Sequence, residues 1–341
     1  MKIHTCIGGG KIGKLEKLVS GASVVSIVTH THPDGDAIGC SIALCSFLRE
    51  KYGKDAAVLL PDPAPEHMEF LLDASVPVSV KDPGRRIGKS DLVFLLDANG
   101  FSRTENLSEA MKASRAVKVL IDHHLNPSRK DFNLVFSTEE VSSASELLYW
   151  ILKKMAGGTE NLPELTRTAL LTGMTTDTNN FANAVFPTTL KMASELIASG
   201  TDRDAILQAV YNSYRENRIR LMGYMQGSRM VITPEGVAYM ILSRDIQKEY
   251  DYREGETEGL VNVPLAIGKV RMSILLTEYP GLFRVSIRSK KGTSAQNMAA
   301  TYFHGGGHEL AAGGRLYLGD DIPSYADAAS YVEKAIKAFL G

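Results

Sequence analysis

One loop of the chain places an imidazole and two carboxylates at a spacing that suits a metal ion. His30 is followed by Asp34 and then by Asp36, and Gly35 lets the backbone bend between the two acids. Imidazole nitrogens and carboxylate oxygens together bind divalent cations of the first transition row. A solvated acidic turn, with Asp36 capping the next helix, would carry the same residues. The spacing therefore predicts a metal site, with the acidic turn as its alternative.

Further acids and histidines stand at the ends of predicted strands and helices, namely Asp97, Asp122, His123, His124 and Asp177. Because ligands of open α/β sheets bind at the carboxyl ends of strands, we expect these residues to share one crevice with the first loop. Several unpaired carboxylates in a dry pocket would be prohibitively costly. Two divalent cations would balance their charge, so the sequence predicts a centre for two metal ions around Asp34, Asp36, Asp97 and Asp177.

The elements that must position these residues alternate between strand and helix. Short apolar segments predict strands at 24–28, 57–60, 92–96, 117–121 and 133–136. Amphipathic segments predict helices at 37–52, 141–155 and 162–172. This alternation predicts an α/β fold with a doubly wound parallel sheet and helices on both faces.

The rest of the chain predicts a second, smaller mixed α/β domain across a cleft. Its expected strands are 237–242, 270–277, 282–288 and 315–318, followed by a helix at 325–340. The predicted domains are 1–212 for metal binding and catalysis and 233–341 for substrate binding, with a linker helix at 213–232. The helical segment 203–230 is rich in Tyr and Arg, which is typical of base stacking with phosphate contacts or of a charged linker, and we favour the linker.

Composition excludes several classes of protein. The 341 residues carry 38 Lys and Arg against 39 Asp and Glu, so the net charge of −1 gives no general attraction to nucleic acid or to anionic membranes. The cysteines, Cys6, Cys40 and Cys45, form neither a C-x-x-C pair nor a disulfide framework, and they suit buried packing. No apolar run reaches the length of a membrane span or resembles a signal peptide. We therefore expect a cytoplasmic protein without membrane association.

A segment near the N-terminus partly matches the sequence motif of a phosphate-binding loop. Gly8 to Lys14 has the Gly and Lys spacing of that motif, but Leu15 stands where the motif needs a Ser or Thr hydroxyl. We predict a flexible lead-in to a short helix over 11–18 instead.

The ordered set of motifs resembles the DHH phosphoesterases. The matching residues, in chain order, are His30, Asp34, Asp36, Asp97, the triplet Asp122-His123-His124, and Asp177. Far downstream, the segment Phe303-His304-Gly305-Gly306-Gly307-His308 resembles the glycine-rich motif of the C-terminal domain associated with this family. Within the family, the chain is most similar to the bacterial nanoRNase and pAp phosphatase group. That group removes nucleotides from very short RNAs and dephosphorylates 3′-phosphoadenosine 5′-phosphate (pAp).

The resemblance implies two sets of metal ligands. His30, Asp34 and Asp97 would hold one ion. The other ion would be held by Asp36, Asp97, His123 and Asp177, with Asp97 bridging the two. Asp122 would orient a histidine, and His124 would face the substrate as general acid or as a donor to phosphoryl oxygens. Two such ions activate water and neutralise phosphoryl charge. Because carboxylates outnumber imidazoles and no thiolate is present, Mn²⁺ is favoured over Zn²⁺, and Mg²⁺ is the alternative.

Substrate contacts are expected from Arg103, Arg288, Gly305, Gly306, Gly307 and His308. Glycines let backbone N–H groups approach a phosphate, and an arginine can grip it with two hydrogen bonds. Two alternatives stand beside these roles: Ser102 caps a helix while Arg103 is solvated, and His308 forms a structural hydrogen bond.

Two positions depart from the family pattern. Asn179-Asn180 stands where relatives often have Gly-Arg, so neutral amides would replace a cationic contact. His304 stands where relatives usually have a glycine, which adds a side chain near the ligand.

Four functions are compatible with these residues. We favour hydrolysis of short single-stranded RNA and of pAp. The alternatives are a manganese pyrophosphatase or exopolyphosphatase, a phosphodiesterase for linear or cyclic dinucleotides, and a nucleotide sensor without catalysis. The complete ligand set argues against the sensor, and the glycine-rich motif argues against the pyrophosphatase. The lack of a sensory or membrane segment weakens the signalling phosphodiesterase. No protein partner is implied, and a homodimer is compatible with the sequence.

Overall fold

The computed structural model describes residues 3–72, 75–79 and 82–341. The chain forms two compact units, one up to Ser213 and the other from Tyr214 onward. The functional division into 1–212, 213–232 and 233–341 remains a prediction.

The first unit is built on a six-stranded sheet in which all neighbours are parallel, which confirms the doubly wound α/β fold. Its strands are β1 (Val24–Val28), β2 (Asp55–Leu59), β3 (Val78–Ser79), β4 (Leu92–Leu96), β5 (Val117–Asp122) and β6 (Leu134–Ser137). They lie in the order β3-β2-β1-β4-β5-β6. The winding direction reverses between β1 and β4, and the carboxyl ends at such a reversal are where open α/β sheets bind ligands.

Helices flank this sheet. They are α1 (Ile3–Cys6), α2 (Gly9–Gly21), α3 (Gly35–Tyr52), α4 (Pro83–Lys89), α5 (Ser108–Ala113), α6 (Ala144–Ala156), α7 (Glu164–Asp177), α8 (Pro187–Ala198) and α9 (Arg203–Tyr211). The two faces of the sheet carry separate apolar cores, with Ile27 and Phe94 in one and Val28 and Val93 in the other. This alternation is the period-two pattern of strands that are buried on both sides.

Two helices differ from their predicted bounds. The flexible lead-in predicted before residue 11 is wrong, because α2 begins at Gly9 and buries Ile12, Leu15 and Val19 along one face. The helix predicted to end at residue 172 continues as α7 through Asp177, so this acid stands at the end of a helix.

Helix α3 is enclosed by protein along most of its length. Every residue from Gly35 to Leu48 is buried, including the thiols of Cys40 and Cys45. A Cβ atom at Gly39 would lie 2.6 Å from the carbonyl oxygen of Ala169 in α7. The glycine therefore permits a close approach of the two helices, which sets the last turn of α7 beside the first turn of α3.

The second unit contains a mixed six-stranded sheet, as predicted. Its strands are β7 (Val231–Ile232), β8 (Val237–Leu242), β9 (Met272–Tyr279), β10 (Leu282–Ser289), β11 (Gly306–His308) and β12 (Ala311–Tyr317). They lie in the order β11-β12-β10-β9-β8-β7, and only β8 and β9 pair in parallel. Its helices are α10 (Glu216–Tyr224), α11 (Arg244–Glu249), α12 (Ala295–Tyr302) and α13 (Ala328–Leu340).

Two features of this half differ from the sequence expectation. The segment 203–230 is not one helix, because α9 ends at Tyr211 and α10 begins at Glu216. The glycine-rich motif is not a loop throughout, since β11 pairs with β12 from Gly306 to His308. In the described part of the chain, no helix has the length and apolar character needed to cross a membrane.

Candidate active site

The candidate site forms where β1 and β4 lie side by side. The Thr29 hydroxyl, just after β1, donates a hydrogen bond to the carbonyl oxygen of Leu96, the last residue of β4, at 3.0 Å. His30 and Asp97 follow these two residues, and His30 Nε2 lies 3.4 Å from Asp97 Oδ2. Asp97 has a φ of 54°, a left-handed conformation that costs a residue other than glycine about 1–3 kcal/mol. Backbone strain at this acid marks it as a position that the surrounding structure enforces.

His30, Asp34 and Asp97 form a first group of donors. His30 Nδ1 donates to the carbonyl oxygen of Thr31 at 2.8 Å, which fixes the ring and leaves Nε2 toward the acids. This nitrogen lies 3.9 Å from Asp34 Oδ1. Asp34 also caps α3, because its Oδ1 accepts hydrogen bonds from the backbone N–H groups of Asp36 and Ala37. The capping residue is therefore Asp34 and not Asp36, and Asp34 still belongs to a group that could hold a metal ion.

Asp36, His123 and Asp177 form a second group. Asp36 is 1 % exposed, and it accepts hydrogen bonds from the backbone N–H groups of Ala144 at 2.6 Å and of Ser145 at 3.0 Å, in the first turn of α6. His123 Nε2 lies 3.7 Å from Asp177 Oδ2 and 3.4 Å from Asp97 Oδ1. Asp97 thus lies between the two groups, close to one histidine of each.

These carboxylates and imidazoles shift one another's pKa. Burial disfavours a charged His123, but the adjacent Asp97 outweighs burial and raises the pKa of the imidazole to about 10. The same opposition at His30 raises its pKa to about 9. Burial, reinforced by repulsion from Asp97, raises the pKa of Asp177 to about 7 and that of Asp36 well above its ordinary range. Before a metal binds, protons on the two histidines therefore supply the positive charge that the acids require.

The donor set fits divalent cations. Asp97 is 2 % exposed, and its Oδ1 accepts no hydrogen bond from any described residue. Burial opposes ionisation of this carboxyl, but His123 and His30 outweigh burial and hold its pKa below the ordinary value. A buried ionised oxygen without a hydrogen-bond donor is satisfied by a cation. Within each of the two groups, the ligand atoms lie within 4.8 Å of one another.

Asp122 and His124 form a separate pair beside the donors. His124 Nδ1 donates to Asp122 Oδ1 at 2.8 Å, and the Asp122 side chain is fully buried. This arrangement orients one ring nitrogen through a carboxylate, as the sequence predicted for a histidine near a metal. His124 Nδ1 also lies 3.6 Å from Asp97 Oδ1, so the pair adjoins both donor groups.

Arg103 is exposed on a short 3₁₀ helix, Phe101–Leu107. Its carbonyl oxygen accepts a hydrogen bond from the backbone N–H of Thr31 at 2.9 Å, so its backbone supports the loop that carries His30. The alternative in which Ser102 caps this helix is wrong, because Gly100 occupies the capping position. A role for the Arg103 side chain in substrate binding stays a prediction.

The other predicted substrate residues lie together in the second unit. Ala311 of β12 pairs with Arg288 on one side and with His308 on the other. Residues directly opposite each other share a face of the sheet, so Arg288 and His308 project from the same face, two strand spacings or about 10 Å apart. Among the described residues, no carboxylate lies within ion-pair distance of Arg288. Burial lowers the pKa of its guanidinium and outweighs the attraction of the more distant Glu258.

The glycines beside His308 are required by the hairpin itself. A Cβ atom at Gly305 would lie 2.0 Å from the carbonyl oxygen of Gly313, and Gly307 has a φ of 147°. At Gly306, by contrast, no described atom lies within 4 Å of such a Cβ atom. Phosphate binding by Gly305, Gly306 and Gly307 therefore stays a prediction that the geometry permits.

The positions that depart from the family pattern are also structurally unusual. Asn179 and Asn180 both have left-handed backbones, with φ of 45° and 54°. Asn180 Oδ1 accepts a hydrogen bond from Arg203 Nη2 at 2.6 Å, so a cation from α9 adjoins this segment. His304 donates through Nε2 to Asp321 Oδ1 at 2.8 Å, which holds its added side chain within the second unit.

Several residues that position the donors were not predicted from the sequence. Thr29 could have been noticed as a polar residue directly before His30. Gly173 is needed because a Cβ atom there would lie 2.9 Å from Asp36 Oδ1 and 2.1 Å from Ser145 Oγ. No local signal connects Asp36 to the start of α6, more than 100 residues away.

Comparisons with known proteins agree with this geometry. Residues 24–174 match the model described as DHH family, N-terminal domain. The chain is 25 % identical over 312 residues to the bifunctional oligoribonuclease and PAP phosphatase NrnA of Bacillus subtilis, covering 90 % of this chain and 94 % of that protein. It is 31 % identical over 163 residues to a probable manganese-dependent inorganic pyrophosphatase of Streptococcus mutans, covering 46 % of this chain and 48 % of that protein.

A solved structure is similar over nearly the full length of both chains. The crystal structure of an exopolyphosphatase-related protein from Bacteroides fragilis has a TM-score of 0.90 and 32 % identity, covering 98 % of this chain and 97 % of that one. The similarity therefore extends through both units and is not confined to the donor cluster.

Proposed function

The chain belongs to the DHH family, and we propose that it is a metal-dependent phosphoesterase that hydrolyses short oligoribonucleotides and pAp. The observation that carries the proposal is the position of Asp97 between two donor groups, with His30 and His123 each 3.4 Å from one of its oxygens. His30, Asp34 and Asp97 would hold one divalent cation. Asp36, His123 and Asp177 would hold another, with Asp97 shared.

The bound ions would polarise phosphoryl oxygens and lower the pKa of water, which is the chemistry of metal-assisted phosphate hydrolysis. Mn²⁺ is proposed over Zn²⁺ because carboxylates outnumber imidazoles in the donor set, and Mg²⁺ is the alternative. Two N–H groups at the start of α6 fix the Asp36 carboxylate in position, and a bound cation would offset the burial that raises its pKa.

His124 is the proposed proton donor to the leaving oxygen. Its Nδ1–H is held by the buried Asp122 at 2.8 Å, so Nε2 is the ring nitrogen that would exchange a proton with substrate. Asp122 acts through this histidine and is a positioning residue.

Arg288 and His308 are the proposed nucleotide contacts. They share a face of the second sheet in register with Ala311. A partly desolvated guanidinium with no carboxylate at ion-pair distance among the described residues is suited to a phosphate, and Glu258 is the acid that attracts it from further away. Arg103 is proposed as a further phosphate contact because its backbone adjoins the His30 loop.

Pyrophosphatase or exopolyphosphatase activity is the second candidate. The names of the streptococcal and Bacteroides relatives support it. The oligoribonuclease relative matches 90 % of this chain whereas the pyrophosphatase matches 46 %, which favours the nucleotide substrates. The cytoplasmic location expected from the sequence stays a prediction, and so do the compatible homodimer and the alternative activity on linear or cyclic dinucleotides.

A substrate panel tests the proposal. Purified protein with Mn²⁺ is offered pAp, a diribonucleotide, linear pGpG, pyrophosphate and polyphosphate, and the products are separated by chromatography. We expect mononucleotides from the diribonucleotide and AMP from pAp, with both activities lost in Asp97→Asn. Hydrolysis of pyrophosphate or polyphosphate alone would contradict the proposal and support the second candidate.

A further inference from the structure

A cavity in the first unit shares no lining residue with the donor cluster. It has a volume of about 450 Å³, within the range of sites for small molecules. The residues that matter for its chemistry are Ile3 and Ile7 from the N-terminal segment, Trp150, Lys153 and Lys154 from α6, and Lys191 from α8. Its walls are thus apolar and aromatic, with three ammonium groups among them.

The charges around this cavity are only partly neutralised. Lys153 Nζ pairs with Glu195 at 2.6 Å. Lys154 Nζ donates to a backbone carbonyl, and no described carboxylate lies within ion-pair distance of Lys191. Glu160 lies beside the cavity at Gly158, and the buried Glu146 adjoins Trp150, so the nearby acids equal the lysines in number. The Glu146 carboxylate already accepts hydrogen bonds from Ser142 and Thr189. Among the described residues, Lys154 and Lys191 have no carboxylate at ion-pair distance, so their ammonium groups can receive an anion.

The indole of Trp150 is the fixed aromatic wall of the cavity. The ammonium groups of Lys153 and Lys191 lie 5.3 and 5.9 Å from its ring centroid, within the range of cation–π attraction. The indole Nε1 lies 3.5 Å from Glu146 Oε1, and Thr189 donates to the same carboxylate. The lysines are thus held next to a flat apolar surface on which another ring could stack.

We propose that this cavity is a second ligand site that binds a nucleoside monophosphate. The base would lie against Trp150, Ile3 and Ile7, and the phosphate would pair with Lys191 and Lys154. A phosphate carries about −1.5 to −2 charges at neutral pH and suits two ammonium groups better than one carboxylate does. The choice of a nucleotide among phosphorylated aromatic molecules rests on the proposed function, since the proposed reaction releases one.

Trp150 makes the site directly observable. It is the single tryptophan of the chain, so tryptophan emission reports on this cavity and on no residue of the donor cluster. Titration with AMP should change the emission and saturate. Adenosine and inorganic phosphate each lack half of the ligand and should bind at least about tenfold more weakly. No response to AMP, or equal affinity for adenosine, would overturn the proposal.

Two lysine variants test whether AMP binds in the cavity or is attracted by the general positive charge of the surface. Lys191→Ala should weaken AMP binding about tenfold, as expected for one lost contact between charged groups. Lys17→Ala removes an exposed lysine of α2 that does not line the cavity and should leave the affinity unchanged. An equal loss in both variants, or none in either, would count against the site.

The same samples are assayed for hydrolysis of pAp. Turnover without any AMP response would reject the second site and leave the proposed function intact. An AMP response without hydrolysis of nucleotides would support the site and reject the proposed function.

Discussion

The hydroxyl of Thr29 donates a hydrogen bond to the carbonyl oxygen of Leu96 at 3.0 Å, and both residues are fully buried. The bond crosses between β1 and β4 at the point where the winding direction of the sheet reverses. The next residue on each side is a candidate metal ligand, His30 or Asp97. A side chain that is not itself a donor to metal therefore sets the spacing of two that are.

Thr29→Val tests this role with little change in volume. The loss of one buried hydrogen bond should lower the free energy of unfolding by about 1–3 kcal/mol and weaken Mn²⁺ binding. Urea unfolding and calorimetric titration with Mn²⁺ measure the two effects. Thr201→Val is the matched control, because the buried Thr201 hydroxyl has no hydrogen-bond partner among the described residues and should lose nothing. Equal losses in both variants would show that the Thr29 bond has no special role.

A comparison of Asp97→Asn with Asp122→Asn tests whether Asp97 is a ligand shared by both metal ions and Asp122 only orients His124. Asp97 adjoins both donor groups, so Asp97→Asn should abolish turnover and bind fewer Mn²⁺ ions. Asp122 contacts His124, so Asp122→Asn should retain its metal and lose about 10- to 100-fold in rate. Metal content, turnover and circular dichroism are measured together. The reverse order of rates in two folded variants would contradict both assignments.

The donor residues could be predicted because each signal is local. Asp97 and His123 directly follow the apolar strands β4 and β5, and the parallel topology brings the ends of such strands to one edge. The positioning of Asp36 could not be predicted, since its hydrogen bonds come from Ala144 and Ser145 through tertiary folding. The left-handed backbone of Asp97 could not be predicted either, because an aspartate at this position does not by itself indicate a positive φ.

The glycine-rich motif has a clear local signal, but that signal predicts a loop where the structure has a strand. Its composition is typical of a loop, because glycine has little intrinsic preference for strands. The strand β11 forms there because Gly305 and Gly307 let the chain approach β12 more closely than a Cβ atom would allow. Tertiary packing thus overrides local propensity at this site.

Metal binding should release protons near neutral pH. The pKa values of His30 and His123, raised to about 9 and about 10, keep both imidazoles charged at pH 7.5 before a metal binds, and ligation requires them neutral. At least these two protons should leave when both groups are filled, because the raised pKa values of Asp36 and Asp177 add to the protons that a metal displaces. Metal affinity should therefore fall as the pH is lowered. Calorimetric titration with Mn²⁺ in buffers of different ionisation enthalpy counts them. Heats that are independent of the buffer would contradict the raised pKa values.

Removal of metal should stop the reaction reversibly. Exhaustive chelation followed by dialysis should abolish hydrolysis of pAp, because the carboxylates alone cannot polarise the phosphoryl group. Mn²⁺ should restore more activity than Mg²⁺, since histidines share the donor set with acids. Added Ca²⁺ serves as the control for a merely structural need of a divalent charge. Full activity after chelation would reject the metal centre.

Arg288→Ala and His308→Ala should separate nucleotide binding from chemistry. The two side chains share a face of the second sheet, while all candidate metal donors belong to the first unit. KM for pAp and for dinucleotides should rise at least about tenfold with metal binding unchanged, as expected for the loss of a contact between charged groups. Hydrolysis of bis-p-nitrophenyl phosphate should change far less, because this substrate has no nucleoside.

The matched control for Arg288 is Arg284→Ala, on the same strand. Arg284 already pairs with Glu254, so it is not available to a phosphate in the way that Arg288 is. Its loss should leave KM for pAp nearly unchanged while removing the same charge from β10. If Arg288→Ala and Arg284→Ala raised KM equally, general attraction by the positive strand would explain the effect. If Arg288→Ala slowed both substrates equally, Arg288 would serve the chemical step and not recognition of the nucleotide.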